Sequence, residues 1–142
     1  MKIRLAEKAF DPWQELARHQ SEQPALAGKF GATAVFIGTL RDFNQGSAVQ
    51  AMTLEHYAPM TQKHLERVAG EAGSRWPIED VLVIHRYGEL RPNEPIVCVG
   101  VWAAHRDAAF AACRHIIDEL KARAPFWKQE MTEQGRRWVA PE

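Results

Sequence analysis

The side chains best suited to chemistry are cations, and they fall in three clusters. The first closes Phe36-Ile37-Gly38-Thr39-Leu40-Arg41, a β-rich run that ends in glycine and then sets Arg41 at the edge of a sheet. The second, His105-Arg106, lies between the most apolar stretch of the chain and a long helical pattern. A helix start exposes free N–H groups and the positive end of the peptide dipole, which attract anions and favour acidic side chains. Cationic residue types at that junction are locally unfavourable, a conflict that hints at a bound phosphate or carboxylate. The third cluster is Leu120-Lys121-Ala122-Arg123-Ala124-Pro125-Phe126-Trp127-Lys128-Gln129-Glu130. Lysines held near each other and near an arginine repel, which lowers a lysine's pKa and frees it for proton transfer or nucleophilic attack.

Each cluster also has a plainer reading. Arg41 fits a surface side chain after a strand-ending turn, since lone arginines mostly face water. His105 and Arg106 fit solvated charges of a capping segment. Lys121 and Arg123 complement the dipole at a helix C-terminus. Lys128 follows the rigid aromatic turn Pro125-Phe126-Trp127, yet lysines usually just solvate a face. Residue pattern alone favours the plainer reading for Arg41 and Lys128 and does not separate the two for His105 and Arg106.

Other candidates weigh less. Glu55 and His56 alternate along one strand and point to opposite faces, so they form no dyad. His115 falls inside a helix. The histidines are scattered singly without His-Glu-x-x-His spacing, and Cys98 and Cys113 lack Cys-x-x-Cys spacing. Neither a metal site nor a cofactor is expected, and both thiols read as buried. Trp76, Trp102, Trp127 and Trp138 read as core or interface aromatics.

The elements that must carry these clusters follow from periodicity. Alternation over Lys2 to Glu7 predicts a short strand with Ile3 and Leu5 on one face. Asp11-Pro12 starts a helix, a capping Asp followed by proline in the first turn. That helix turns Trp13, Leu16 and Ala17 inward and fades by Pro24. Gly28 to Gly31 is a turn before a strand over Ala32 to Ile37, and Arg41 to Ser47 is a polar loop. Val49 to Tyr57 alternates, with Met52, Leu54 and His56 on one face. A second helix begins at Pro59, buries Leu65, Val68, Ala69 and Ala72, and stops at Trp76-Pro77. Val81 to Tyr87 is a strand and Gly88 to Pro95 a connection rich in turn residues. Ile96 to Ala103, the most apolar strand, belongs at the centre of the sheet. The last helix repeats Phe110, Cys113, Ile117 and Leu120 on a buried face. It ends at Ala124-Pro125, because the residue before proline avoids the α region. Phe126 to Val139 is an aromatic, basic tail that can close as a ribbon.

The order β-α-β-β-α-β-β-α-(β-β) predicts one α/β domain over residues 1–142, with helices packed on a mixed or antiparallel sheet. A chain of 142 residues suits one such domain. No Gly-rich phosphate fingerprint follows a strand, which disfavours a nucleotide fold of the Rossmann or P-loop kind. Eighteen basic residues balance eighteen acidic ones, so no net field recruits nucleic acid or an anionic membrane, and any anion site must be local. No apolar run reaches membrane-spanning length. The N-terminus has no hydrophobic targeting core, so a cytoplasmic protein is expected.

Several stretches carry a resemblance. They include Gly31-Ala32-Thr33-Ala34-Val35-Phe36-Ile37-Gly38-Thr39-Leu40-Arg41 and Leu54-Glu55-His56-Tyr57-Ala58-Pro59-Met60. Val83-Ile84-His85-Arg86-Tyr87-Gly88-Glu89-Leu90 and Val99-Gly100-Val101-Trp102-Ala103-Ala104-His105-Arg106 follow, then Leu120 to Glu130 and Arg137-Trp138-Val139. In this order and spacing the set closely resembles the large, catalytic subunit family of molybdopterin synthase, from about Gly31 to Val139. The segment before Gly28 matches only loosely.

The resemblance implies an α/β hammerhead with a small extra β subdomain, and a homodimer. A small ubiquitin-like sulfur-carrier subunit docks on each copy, giving a heterotetramer. That partner ends in Gly-Gly, carried as a thiocarboxylate, and its tail threads into a pocket of the large subunit. The implied activity is that of a sulfurtransferase in molybdenum cofactor biosynthesis. Sulfur passes to cyclic pyranopterin monophosphate in two rounds, and the cyclic phosphate opens to give the molybdopterin dithiolene. Position by position, the resemblance makes Lys121 and Lys128 the catalytic pair. Lys121 contacts the thiocarboxylate, and Lys128 acts as acid/base or holds the pterin intermediate. Arg41, His105 and Arg106 bind the substrate phosphate, with Thr39, Leu40, Gln129 and Glu130 in the substrate-binding stretches. Thr39 stands where some relatives have lysine. Some of these groups come from the neighbouring subunit, which makes the dimer necessary for activity. The alternative is a non-catalytic subunit that binds a ubiquitin-like partner or a phosphorylated metabolite.

Overall fold

The two most apolar runs of the chain become adjacent inner strands of one sheet. The computed structural model describes residues 1–44, 47–56, 58–123, 126–132 and 135–139; for residues 43, 44, 47, 56, 58, 123, 126–131, 137 and 139 it describes the backbone alone. The elements are β1 (Lys2–Ala6), α1 (Pro12–Glu22), β2 (Ala32–Thr39), β3 (Phe43–Asn44), β4 (Ser47–His56), α2 (Ala58–Arg75), β5 (Ile78–Arg86), β6 (Gly88–Leu90), β7 (Pro95–Ala103), α3 (Arg106–Arg123), β8 (Phe126–Thr132) and β9 (Gly135–Val139), with a 3-10 turn at Pro24–Leu26. No helix among the described residues is long and apolar enough to cross a membrane.

The first sheet has the order β1-β5-β7-β2. β1 runs parallel to β5, and the other pairings are antiparallel, so the sheet is mixed, as expected. The period of two along β5 and β7 decides which helix each side chain meets. Val81, Val83, Val97, Val99 and Val101 face one way, into a core with Leu65, Val68, Ala69 and Ala72 of α2 and Ala109, Ala112 and Ile116 of α3. Leu82, Ile84, Cys98 and Trp102 face the other way, onto Leu16 of α1. Burial on both faces is why these strands read as continuous apolar runs.

Three residues expected to face inward do not. Trp13 and Ala17 are exposed, while Pro12, Leu16 and His19 are buried. Asp11 caps α1 by accepting the N–H groups of Trp13 and Gln14, and that start sets the row at steps of four and three, leaving Trp13 a hundred-degree turn away. Phe110 of α3 is likewise exposed, beside a buried face of Ala109, Ala112, Cys113, Ile116, Ile117 and Leu120.

A second sheet, ordered β3-β4-β8-β9 with β6 also on β4, accounts for the extra β layer. Two of its strands differ from expectation. The polar stretch after Arg41 contains β3, paired to β4, and the connection after Gly88 contains β6, paired to Met52, Thr53 and Leu54. Runs of two and three residues are too short to show a period, and they become strands because β4 offers them a ladder. The tail does close as the expected ribbon, β8 antiparallel to β9. The expected helix stop at Ala124-Pro125 and the alternating position Tyr57 lie outside the described residues.

Candidate catalytic and anion-binding site

Arg41 owes its position to a clasp around the residue before it. Leu40 is buried with Val49, Met52, Leu54 and Leu90, against Ile96. Its N–H donates to the Glu94 carbonyl at 3.0 Å, and its carbonyl accepts the Asn93 N–H at 2.8 Å. Asn93 takes a left-handed φ of 76°, a region that Asn tolerates better than most residues, which lets the tight turn face back onto Leu40. Glu94 closes that turn by accepting the Arg91 N–H at 2.6 Å. Arg86, buried at the end of β5, ties the turn down: its guanidinium donates to the carbonyls of Glu7 and Glu89 and pairs with Glu94 at 3.4 Å. Thr39 and Arg41 flank this clasped leucine and are exposed. Sequence reasoning assigned Arg86, Asn93 and Glu94 no role; an arginine closing an apolar strand is the signal that could have found the first.

His105 and Arg106 occupy the start of α3 and are exposed. The His105 carbonyl accepts the Ala109 N–H at 3.3 Å, so the expected helix start is real. Gly31 supports the junction, donating its N–H to the Ala103 carbonyl at 2.9 Å.

The three clusters are not all brought together within one chain. β2 and β7 are antiparallel, with Ala32 opposite Ala103 and Thr39 opposite Pro95. His105 and Arg106 therefore lie beyond one end of β2 and Arg41 beyond the other, ends about 23 Å apart at the usual strand rise. α3 packs on β7 and β2 and returns along them. Its eighteen residues carry Lys121 back to the Arg41 end, a length of about 27 Å. Lys121 is half-buried in the last turn. Lys128 lies within β8 rather than in a turn, and its backbone registers with Leu54, a member of the same cluster as Leu40. Gln129 and Glu130 follow it, in register with Thr53 and Met52; the side chains of all three lie outside the described residues. Arg41, Lys121 and the backbone of Lys128 thus share one end of the first sheet, and His105 and Arg106 mark the other.

Both cysteines are free and buried. Burial, with small contributions from Cys113 and Glu15, pushes the Cys98 thiol up to about 12, and burial pushes Cys113 up to about 11. At neutral pH such thiols stay protonated and unreactive, so neither serves as a nucleophile.

A mixed sheet with helices on both faces, joined to a small second sheet, with cations at strand and helix ends, defines an α/β protein of two sheets. The family model described as MoaE protein matches residues 5–123, and the chain belongs to that family. It is 50% identical over 139 residues to the molybdopterin synthase catalytic subunit of Pseudomonas aeruginosa, covering 98% of this chain and 90% of that one. It is 54% identical over 120 residues to the protein of the same name from Escherichia coli strain K12, covering 83% and 80%. Among solved structures, the molybdopterin biosynthesis MoaE protein from Burkholderia ambifaria matches with a TM-score of 0.81 at 47% identity, covering 99% of this chain and 89% of that one.

Proposed function

We propose that this chain is the catalytic subunit of a molybdopterin synthase, a sulfurtransferase in molybdenum cofactor biosynthesis. It takes sulfur from the thiocarboxylated Gly-Gly end of a small ubiquitin-like subunit and adds it to cyclic pyranopterin monophosphate. The observation that carries this reading is the gathering of Arg41, Lys121 and the Lys128 backbone at one end of the first sheet.

Lys121, in a half-buried position, neutralises the thiocarboxylate as the partner's tail arrives. Lys128 moves a proton or holds the pterin intermediate. Arg41, His105 and Arg106 bind the phosphate and stabilise the charge that develops as its ring opens, with Thr39, Leu40, Gln129 and Glu130 shaping the surroundings. Because Arg41 and His105-Arg106 stand at opposite ends of β2, a common phosphate needs these groups from two copies, which supports a homodimer inside a heterotetramer.

Purified chain, thiocarboxylated small subunit and cyclic pyranopterin monophosphate should yield dithiolene, measured as its fluorescent oxidation product. Lys121→Ala should slow that reaction by about a hundredfold or more, the scale of a lost acid/base or charge-stabilising group, with partner binding retained. Full activity in this variant sinks the assignment. A stable complex with no product from the natural chain would favour a non-catalytic binding subunit instead.

A further inference from the structure

We infer that Arg86 is a positioning residue: one guanidinium ties together the chain segments that carry Arg41 and Lys128 and so fixes the placement of one relative to the other. The inference rests on the assignment above of Arg41 and Lys128 to one site.

Arg86 stands at the corner where the chain leaves the first sheet for the second. β5 ends at it, Tyr87 follows, and Gly88 takes a left-handed φ of 84°, open to glycine, that turns the chain into β6. β6 then pairs with β4 of the second sheet. Ladder pairing cannot cross such a corner, but a side chain with donors in several directions can. A guanidinium offers five N–H groups in a rigid planar fork, where a lysine ammonium is a single point on a flexible stem.

Each nitrogen of that fork holds a different segment. Nε donates to the Glu7 carbonyl at 3.1 Å, just past β1. Nη2 donates to the Glu89 carbonyl at 3.0 Å, within β6. Nη1 donates to Glu94 Oε2 at 3.4 Å, in the turn before β7. Arg86 is 3% exposed, so this cation faces the protein rather than a ligand, and the Glu94 carboxylate balances it.

Two of the three arms lead to the site. Along one, Glu94 and Asn93 clasp the backbone of Leu40, and Arg41 is the next residue. Along the other, Glu89 registers with Thr53 of β4, and Thr53 with Gln129 of β8, beside Lys128. Arg41 and the Lys128 backbone thus reach the site by different routes, and Arg86 is the side chain common to both. β4 also links them, through β3 and β8, but β3 is only two residues long.

Two conservative substitutions test this role. Arg86→Lys keeps the charge but cannot reach three acceptors. Glu94→Gln keeps an acceptor for the Arg91 N–H but removes the charge that faces Arg86. In each, hydrogen exchange at Leu40 and Asn93 should speed up by about tenfold or more, while Val99 in β7 stays protected. Dithiolene formation in the reconstituted reaction should fall by about tenfold to a hundredfold, the scale of an ångström's misplacement. A double-substitution cycle separates positioning from general support: in an Arg41→Ala background, Arg86→Lys should cost at most about twofold more. Glu94→Gln, at a partly exposed position, carries the same cycle if Arg86→Lys does not fold. Equal losses with and without Arg41 make Arg86 merely structural and overturn the inference, as does unchanged exchange at Leu40 and Asn93. Full activity in Arg41→Ala alone overturns instead the assignment of Arg41 to the reaction, and the positioning role falls with it even where exchange quickens.

Discussion

Asp80 shows how one side chain can anchor a whole helix. It sits buried in β5 and meets His19 at 2.8 Å, the Met1 ammonium at 3.0 Å and its neighbour's Val81 N–H at 2.8 Å. His19 lies against Trp102, whose indole N–H donates to Gln20, so the group pins α1 to the sheet. Burial pushes the Asp80 carboxyl up, but hydrogen bonds from the ammonium, His19 and Val81 outweigh it and hold the group below its ordinary 3.8. A depressed folded pKa contributes stability that is full above the unfolded value and lost as pH falls through the folded one. Asp80→Asn should therefore destabilise the fold at pH 7 by about 1–3 kcal/mol in urea titrations, the penalty for leaving buried partners unsatisfied. The gap should stay level above about pH 5 and close only in acid below 3.8; a gap that closes between pH 5 and 8 would remove Asp80 as its source.

At the scale of elements, the ends of β2 matter more than its middle. Its C-terminal end is held by the turn over Arg91–Glu94, and its N-terminal end begins at Gly31, which lies against the start of α3. A Cβ on Gly31 would stand 2.5 Å from the Ala104 carbonyl oxygen, a backbone atom that can yield only if the β7–α3 junction moves. Gly31→Ala should then cost about 1–3 kcal/mol, as overpacking does, read as a lower urea midpoint at unchanged slope. On the proposed function it should also weaken binding of the substrate phosphate, because His105 and Arg106 ride on that junction. A variant as stable as the natural chain would show that the junction adjusts freely.

For the molecule as a whole, the proposed function makes activity a property of the pair, because it assigns Arg41, His105 and Arg106 to one phosphate while the fold separates them within a chain. On that proposal, specific activity per chain should fall on dilution and follow the dimer fraction seen in sedimentation. Constant specific activity through the range where the dimer dissociates would mean that a single chain suffices. The second sheet bears on the same point. β4 is the shared spine on which β3, β6 and β8 pair, so the Leu40 cluster and the Lys128 backbone are fixed to one framework.

Local pattern by itself determined the main elements. Leu65, Val68, Ala69 and Ala72 repeat at helical spacing because one face of α2 must leave water, and all four are buried. β5 and β7 announce themselves because burial on both faces leaves no room for polar alternation. Asp11-Pro12 marks a helix start through a cap that needs only its neighbours. The three cationic clusters could be listed for the same reason, as residue types near element ends. Tertiary structure decided the rest. β3 and β6 exist through pairing with β4, and no run of two or three residues shows a period. The buried Arg86, reaching residues eight and seventy-nine positions away in the chain, depends on contacts that no local window contains. Whether Arg41 and His105 meet depends on the antiparallel register of β2 with β7, a long-range pairing that sends them to opposite ends of one strand.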